Sequence, residues 1–446
     1  MQQHIRKAGI ILFWLLVWQM AAVMVDNSLI LVGPVETVAA LVSRMGEFTF
    51  WQTVAGSTAR IFCGFLLAFA VGFFMGALAS KVPLVKDLLE PLVTLMRTVP
   101  VASLVILTLI LVGVEGLTLT ISFLVVFPII YQSTLTGFSA VDRTLVEMAQ
   151  VFHLPLWKRF LYIYRPALWP VLIGGCKTAL GMSWKSGVAA EVIGTPNFSI
   201  GAELYMAKIY FDTAELFGWT LVIILLSVCF EHVFLWIMRQ LGQPFGGLLK
   251  KNNVKQGPGV SVEVSNLSKS YGEQVVLDQL TLRFEPGSVI GMMAPSGAGK
   301  TTLFRLLMGL EQADAGHILT ADVAVIAAAF QEDRLCADLT AQENAQIAGG
   351  ESDLVRILPA EALQKKASEL SGGMKRRVAV ARAMASPGQI VLLDEPFSGL
   401  DEVTKERVMD YILEKRKGRT LIFTTHDVQD IKKMQAALFE LPAHSI

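Results

Sequence analysis

The chain has few charged residues and few cysteines for its length. Of its 446 residues, 17% are charged and 53% are hydrophobic, whereas an ordinary soluble domain has about 25% charged residues. The four cysteines, at positions 63, 176, 229 and 336, form no Cys-x-x-Cys pair and no cluster with histidine. These shortages argue against a wholly soluble protein, a zinc site and a disulfide framework.

The formal net charge of zero is the sum of two unlike halves. Residues 1–256 carry 18 Lys/Arg and 13 Asp/Glu, a net charge of +5, or 31 charges in 256 residues. The remaining 190 residues carry 20 and 25, a net charge of −5, or 45 charges in 190 residues. This gradient predicts a membrane domain over residues 1–240 and a soluble domain over residues 260–446. The turn-forming residues between them, 241–259, are typical of a linker.

Six apolar stretches in the first half have the length of a membrane span, which takes about 20 residues. Lys and Arg concentrate in alternate connections between these stretches, which indicates that both termini and the soluble half are cytoplasmic. The sequence therefore predicts an all-α, six-span domain. Its spans are expected at residues 8–25, 61–80, 98–114, 116–141, 166–192 and 216–238.

The soluble half alternates short β-branched runs with helical stretches, a pattern typical of an α/β fold with a largely parallel sheet. In it an apolar strand leads into a glycine-rich loop and then a helix, an arrangement that binds phosphate through backbone N–H groups. Lys300 is predicted to reach the β- and γ-phosphates of ATP, and the Thr301 hydroxyl to bind Mg²⁺. Ala294 stands where the motif begins with glycine. The loop comprises Ala294, Pro295, Ser296, Gly297, Ala298, Gly299, Lys300, Thr301 and Thr302.

A second apolar strand, 389–393, ends in the adjacent carboxylates Asp394 and Glu395. ATP hydrolysis needs mainly charge neutralisation and an aligned water molecule. We therefore expect Asp394 to bind Mg²⁺ and Glu395 to act as the base for the attacking water. The structural alternative for two acids at a strand end is a helix N-cap, but the phosphate loop favours hydrolysis.

The remaining motifs of the soluble half resemble those of the ABC transporter ATPases, in the order that the family has. A Leu-Ser-Gly-Gly sequence at 370–373 resembles the family signature. The resemblance implies that this signature binds the γ-phosphate and that Tyr271 stacks on adenine. It also implies that Gln331 binds the Mg²⁺ and contacts the permease, and that His426 is the catalytic switch residue. The signature residues are Ser371, Gly372 and Gly373.

A cytoplasmic segment of the membrane half, residues 142–170, resembles the EAA loop of binding-protein-dependent ABC import permeases. The likeness rests on Glu147 and on an Ile-x-x-Pro ending at 163–166, while Met148 replaces an alanine and His153 occupies the usual glycine position. In that family the segment forms a coupling helix that docks in a groove of the ATPase. The alternative is a basic amphipathic loop on the inner leaflet of the membrane.

The resemblance over residues 33–240 extends to permeases of the sulfonate, nitrate and taurine importers. It implies ATP-driven import of a small anionic solute across the inner membrane, with the spans in contact with lipid. A separate extracytoplasmic binding protein is expected to deliver the solute, and no nucleic-acid partner is expected. Because the ATPase signature of one subunit completes the site of the other in this family, the chain is expected to be a homodimer. An exporter half-transporter and a membrane-anchored regulatory ATPase stay open as alternatives.

Three charged residues fall within the fifth predicted span, where charge is costly and usually faces protein or a water-filled path. Lys177 and Lys185, with Glu191 near the outer end, could line a pathway for an anion. Internal Lys–Glu pairing, or extension of the lysines to the membrane surface, is the alternative interpretation.

Overall fold

The computed structural model describes residues 2–243, 256–295, 297–320, 325–350 and 353–442. They form two compact units, of which the first comprises Met1–Ala140 and Ala167–Gln243. The second comprises Val141–Pro166 and Pro244–Ile446. The EAA-like segment, which the sequence places in the membrane domain, therefore groups with the ATPase unit. Most of the expected linker, residues 244–255, lies outside the described residues.

The regular elements in the described part of the first unit are all helices. By length and composition, three of its described helices can cross a membrane, namely Phe48–Lys81, Val101–Ser139 and Thr213–Leu241, and Gly9–Val25 is a shorter apolar stretch. The helices up to residue 241 are α1 (Gln2–Val25), α2 (Pro34–Met45), α3 (Phe48–Lys81), α4 (Pro83–Thr98), α5 (Val101–Ser139), α6 (Arg143–Val151), α7 (Leu156–Arg159), α8 (Arg165–Gly194), α9 (Ile200–Ile209) and α10 (Thr213–Leu241). Of these, α6 and α7 belong to the second unit.

Helix α5 is interrupted at Gly113, whose φ of 78° and ψ of −178° suit glycine alone. Val105 on one side of this break and Ile121 on the other lie in the same buried cluster. In a straight helix these residues would be about 24 Å apart, so the two halves fold back on each other. The expected spans 98–114 and 116–141 correspond to these halves.

Small residues on α3 allow it to pack closely against α5. Gly64, Gly72 and Gly76 lie on one face, and a Cβ atom at Gly64 would be only 2.5 Å from the carbonyl oxygen of Leu119. At Gly76 it would be 2.8 Å from the carbonyl oxygen of Tyr131. Without a hydrophobic driving force between helices in lipid, this close backbone approach is a principal source of helix association.

The buried charge of α8 pairs with an arginine on α3. Glu191 is fully buried, and its carboxylate accepts hydrogen bonds from Ser57 Oγ at 2.6 Å and Arg60 Nε at 3.2 Å. Lys177 and Lys185 are exposed on the same helix. Of the sequence alternatives, internal pairing is therefore correct for Glu191, but its partner is Arg60 and not a lysine.

Removing the Glu191 carboxylate alone should destabilise the membrane unit strongly. We expect Glu191→Leu to lower the free energy of unfolding by about 3–5 kcal/mol, because it leaves the mostly buried Arg60 without its counter-charge and the Ser57 hydroxyl without its acceptor. Unfolding of the full chain in detergent, followed by tryptophan fluorescence, measures the change. The double variant Arg60→Met/Glu191→Leu should recover most of the loss; an equal or larger loss in the double variant would contradict this account.

The second unit contains two sheets. The smaller is antiparallel, with strand order β2-β1-β4; the larger is parallel, with order β5-β6-β7-β3-β8. The expected fold class, a helical membrane domain followed by an α/β ATPase domain, is confirmed. The strands and remaining helices are β1 (Val262–Tyr271), β2 (Gln274–Phe284), β3 (Val289–Met293), α11 (Lys300–Leu307), β4 (Ala315–Thr320), β5 (Ile326–Ala329), α12 (Ala341–Gln346), α13 (Gly372–Ala385), β6 (Ile390–Leu393), α14 (Glu402–Lys415), β7 (Thr420–Thr424), α15 (Val428–Lys433) and β8 (Ala437–Glu440).

The parallel sheet determines where the functional loops lie. Because its strands are parallel, their carboxyl ends meet at one edge, where ligands bind in open α/β sheets. The phosphate loop follows β3 and Gln331 follows β5, while Asp394 follows β6 and His426 follows β7. Residues far apart in the sequence are thereby brought to the same edge.

Candidate nucleotide-binding site

The phosphate loop has the backbone that its sequence predicts. Gly297 and Gly299 have φ values of 85° and 90°, and Gly299 caps helix α11. Ala294 is not among the described residues with positive φ, so its methyl group causes no backbone strain at a position where the motif has glycine. Ser296 lies outside the described residues.

Lys300 is buried against the loop that precedes it. Its Nζ donates to the carbonyl oxygens of Ala294 at 2.6 Å and Pro295 at 3.2 Å, and the N–H of Ala298 also donates to Pro295. Eight per cent of the residue is exposed. The loop therefore holds the ammonium group at the start of α11, where backbone N–H groups also favour an anion.

The Thr301 hydroxyl and the Asp394 carboxylate lie together at the sheet edge. Thr301 Oγ1 is 3.3 Å from Asp394 Oδ2, and Thr424 Oγ1 donates to Asp394 Oδ1 at 2.7 Å. Asp394 is 5% exposed, and this burial raises its pKa, so the carboxylate gains from a nearby cation. Two hard oxygen donors fit Mg²⁺. The Gln331 side chain is exposed, and no hydrogen bond within the described residues joins it to this pair.

Glu395 and His426 form the candidate catalytic pair. His426 Nε2 lies 3.2 Å from Glu395 Oε1, and both residues line an open cavity of about 290 Å³. Glu395 adopts a φ of 47°, and its N–H donates to Thr424 Oγ1 at 2.8 Å. Thr424 thus bonds to both Asp394 and Glu395. The left-handed backbone of Glu395 is typical of a constrained functional position.

The signature lies at the N-terminus of α13. Ser371 caps this helix, with its Oγ accepting from the N–H of Met374 at 3.4 Å, and it is exposed together with Gly372. Gly373 packs near the carbonyl oxygen of Gly399. Within the described part of the chain, no hydrogen bond or ion pair connects these residues to the phosphate loop.

Tyr271 ends β1 just before a two-residue turn and has about half of its surface exposed. Its hydroxyl donates to the Glu311 carboxylate and contacts the Thr302 hydroxyl, which brings it to the side of α11. The exposed ring beside the phosphate loop is suitably placed for stacking on a base.

The EAA-like segment is built into the core of the second unit. Helix α6, capped by the Asp142 side chain, buries Met148 and Ala149, which join the same hydrophobic cluster as the ATPase strands. The chain then turns at His153, whose φ of 48° explains why a glycine suits this position. The helix expected in this segment is therefore present as α6 and packs on the ATPase core, whereas a loop on the membrane surface would not.

Glu147 is the polar centre of this docking. Its carboxylate accepts two hydrogen bonds from Arg305, at 2.8 and 3.0 Å, and one from Arg334 at 2.8 Å. The hydrogen bonds from Arg305 and the charges of both arginines lower the pKa of Glu147. Arg305 lies on α11, and Arg334 follows Gln331 by three residues. One carboxylate thus contacts both the phosphate-loop helix and the segment after β5.

Two further arginines connect that segment to the signature helix. Arg376 on α13 donates to the carbonyl oxygens of Phe330 and Gln331. Arg382, fully buried, donates to the carbonyl oxygen of Arg334 at 2.7 Å, and burial lowers its pKa to about 10. No role for these two arginines or for Arg305 was predicted from the sequence, although Arg382 stands alone in the apolar run 378–385, a signal of a buried guanidinium with backbone contacts.

Substitutions at His153 test the left-handed turn. We expect His153→Val to destabilise the second unit by about 1–2 kcal/mol, because a β-branched residue tolerates a positive φ poorly. His153→Gly should cost less than this, since glycine adopts the conformation freely. Thermal unfolding of the full chain, monitored by circular dichroism, compares the two; equal losses would contradict the assigned backbone.

Comparisons with known proteins find two families in the chain. Residues 277–398 match the family described as ABC transporter, and residues 68–245 match the binding-protein-dependent transport system inner membrane component. Over 209 residues the chain is 34% identical to the spermidine/putrescine import ATP-binding protein PotA of Salmonella typhimurium, which covers 42% of this chain and 55% of that protein. It is 32% identical over 204 residues to the Nod factor export ATP-binding protein I of Paraburkholderia xenovorans, covering 40% of this chain and 66% of that protein.

A solved ATP-binding cassette, described as dimeric in a post-hydrolysis state with ADP and phosphate, is 26% identical. The match covers 40% of this chain and 94% of that one, with a TM-score of 0.37. The chain spans between about half and two thirds of the length of the two curated relatives. The two family matches confirm the resemblance seen in the sequence: one polypeptide joins a permease domain of the binding-protein-dependent transport systems to an ATPase domain of the ABC transporter family.

Proposed function

We propose that the chain is an ATP-driven importer that works as a homodimer in the inner membrane, with its ATPase domains and both termini in the cytoplasm. The observation that carries this proposal is the Glu147 carboxylate. It lies in the import-type coupling segment and binds Arg305 of the phosphate-loop helix at 2.8 and 3.0 Å. Movement at the ATP site is thereby transmitted to the permease through a charged, two-point contact.

Hydrolysis needs three functions that the site supplies. Lys300 and the N-terminus of α11 would bind the phosphates, and Thr301 with Asp394 would hold Mg²⁺, which neutralises the charge that develops on the phosphates. Glu395 would accept a proton from the attacking water, while His426, 3.2 Å away, orients the carboxylate. We assign adenine stacking to Tyr271.

The homodimer follows from the position of the signature. Ser371 and the N-terminus of α13 are exposed and have no described contact with Lys300 of the same chain. A helix N-terminus binds phosphate well, so the signature can complete an ATP site if it comes from a second copy. Two copies related by a two-fold axis would contain two such sites.

The solute is proposed to be a small anion such as a sulfonate, taurine or nitrate, delivered by a separate extracytoplasmic binding protein. The import direction is favoured by the docked EAA-like segment. An exporter remains the second candidate, because one curated relative is named as an export ATP-binding protein.

Transport in proteoliposomes tests the proposal. The full chain is reconstituted with its co-purified binding protein on one side and ATP on the other, and labelled taurine, methanesulfonate and nitrate are followed. Uptake that requires ATP and disappears in Glu395→Gln supports import. Movement toward the opposite side supports export, and ATP hydrolysis without movement of any of the solutes supports a regulatory ATPase.

A further inference from the structure

The Arg305 guanidinium binds two carboxylates at once. Its Nη1 and Nη2 atoms donate to Glu147, and its Nε atom donates to Glu311. The Glu311 carboxylate also accepts a hydrogen bond from the Tyr271 hydroxyl. A continuous series of charge-assisted hydrogen bonds, hereafter the base relay, therefore runs from Glu147 through Arg305 and Glu311 to Tyr271.

The end of α11 explains why Glu311 lies beside Arg305. The N–H of Leu310 donates to the carbonyl oxygen of Arg305 at 2.9 Å, and that of Gly309 donates to Leu306 at 3.0 Å. With Gly309 at a φ of 67°, these bonds form a Schellman motif. The motif turns the chain at the helix end, so that residue 311 returns to the side of the helix that carries Arg305.

Tyr271 is held at its hydroxyl while its ring remains accessible. The hydroxyl contacts Glu311 and, on α11, Thr302, and 47% of the tyrosine is exposed. The position of the ring therefore depends on Glu311, and Glu311 depends on Arg305 for its counter-charge. A change in how Glu147 engages Arg305 alters the charge left for Glu311.

We propose that Arg305 and Glu311 are positioning residues that make the orientation of Tyr271 depend on the coupling segment. The proposal rests on the function proposed above, in which Tyr271 stacks on adenine. ATP affinity then responds to Glu147 through the base. By thermodynamic linkage, a bound base strengthens or weakens the docking of the coupling segment by the same factor.

The relay residues are partly exposed, with 25% of the Arg305 side chain and 27% of the Glu147 side chain accessible. Solvent weakens ion pairs of this kind, whereas hydrogen bonds to charged groups are stronger than neutral ones. We therefore expect each break in the relay to weaken ATP binding by about three- to tenfold, and not to abolish it.

A double-mutant cycle in the full chain tests the relay. In a Glu395→Gln background that prevents turnover, ATP displaces a fluorescent trinitrophenyl-ATP from protein in lipid nanodiscs. Glu147→Gln and Tyr271→Phe should each weaken ATP binding about three- to tenfold. Because both break one relay, the double variant should be no weaker than the weaker single variant. As a matched control, Glu273→Gln in the turn next to Tyr271 should leave the affinity unchanged.

Two outcomes would overturn the relay. One is a double variant whose loss equals the product of the single losses. The other is an unchanged ATP affinity in Glu147→Gln. If Lys300→Ala abolishes ATP binding in the same assay, the proposed ATP site is supported and the relay alone is wrong. Inorganic tripolyphosphate has no base, so its affinity should change less than twofold in Glu147→Gln. A loss of tripolyphosphate affinity equal to that for ATP would indicate a general loosening of α11 and no relay.

Discussion

Glu395→Gln should lower the turnover number for ATP by about 10²–10⁴-fold, the usual contribution of a positioned general base. The amide has the size of the carboxylate and can still bond to His426, whose Nε2 lies 3.2 Å from the native Oε1. It cannot accept the proton of the attacking water. The variant should therefore retain the geometry of the site and lose its chemistry.

ATP binding separates this interpretation from a structural one. Lys300, Thr301 and Asp394 are unchanged in the variant, so the affinity for ATP should stay within about threefold of wild type or become tighter, because a negative charge near the phosphates is removed. Steady-state hydrolysis and nucleotide binding to the full chain in lipid measure the two quantities. Glu361→Gln, at an exposed position with no described contact to these residues, is the control. Hydrolysis within tenfold of wild type in Glu395→Gln would exclude Glu395 as the base.

The residues at the edge of the parallel sheet could be predicted because each follows an apolar strand. Lys300 follows β3, Asp394 and Glu395 follow β6, and His426 follows β7. Because the strands are parallel, the loops that follow them lie at the same edge of the sheet, whatever sequence separates them. The Thr301–Asp394 hydrogen bond at 3.3 Å and the His426–Glu395 hydrogen bond at 3.2 Å are the outcome.

The ion pairs between distant elements could not be predicted in this way. Arg60 and Glu191 are 131 residues apart, and Glu147 and Arg305 are 158 apart. No local period connects such residues, and many charged residues could satisfy each carboxylate equally well on composition alone. The packing of the helices selects the partner. For Glu191 the sequence suggested a lysine, and the observed partner is Arg60.

Unusual backbone conformations could be predicted from the sequence at some positions and not at others. The sequence carries a signal for a left-handed turn at His153, because the family that this segment resembles has glycine there, and the observed φ is 48°. Glu395 has a φ of 47° without a comparable signal in its sequence. Its conformation follows from the turn after β6 and from the Thr424 hydrogen bond, both of which depend on the neighbouring strand.

Mixing two inactive variants should restore ATP hydrolysis if the chain is a homodimer with shared sites. Lys300→Ala removes the phosphate-binding ammonium, and Ser371→Arg blocks the N-terminus of α13. Each homodimer then has two defective sites, and we expect each to retain less than about 1% of wild-type hydrolysis. A mixed dimer has one site with both defects and one with none.

The recovered activity reports which chain supplies the signature. Random assembly of equal amounts makes half of the dimers mixed, so independent sites should give about a quarter of wild-type hydrolysis in the whole mixture and about half in the purified mixed dimer. A site completed by its own signature would recover nothing, because every chain in the mixture carries one defect. Co-expression with two affinity tags, followed by tandem purification and an assay of the mixed species in lipid, makes the measurement. Since Ser371 is exposed and lacks a described contact with Lys300, we expect recovery, and its absence in the purified mixed dimer would contradict the shared site.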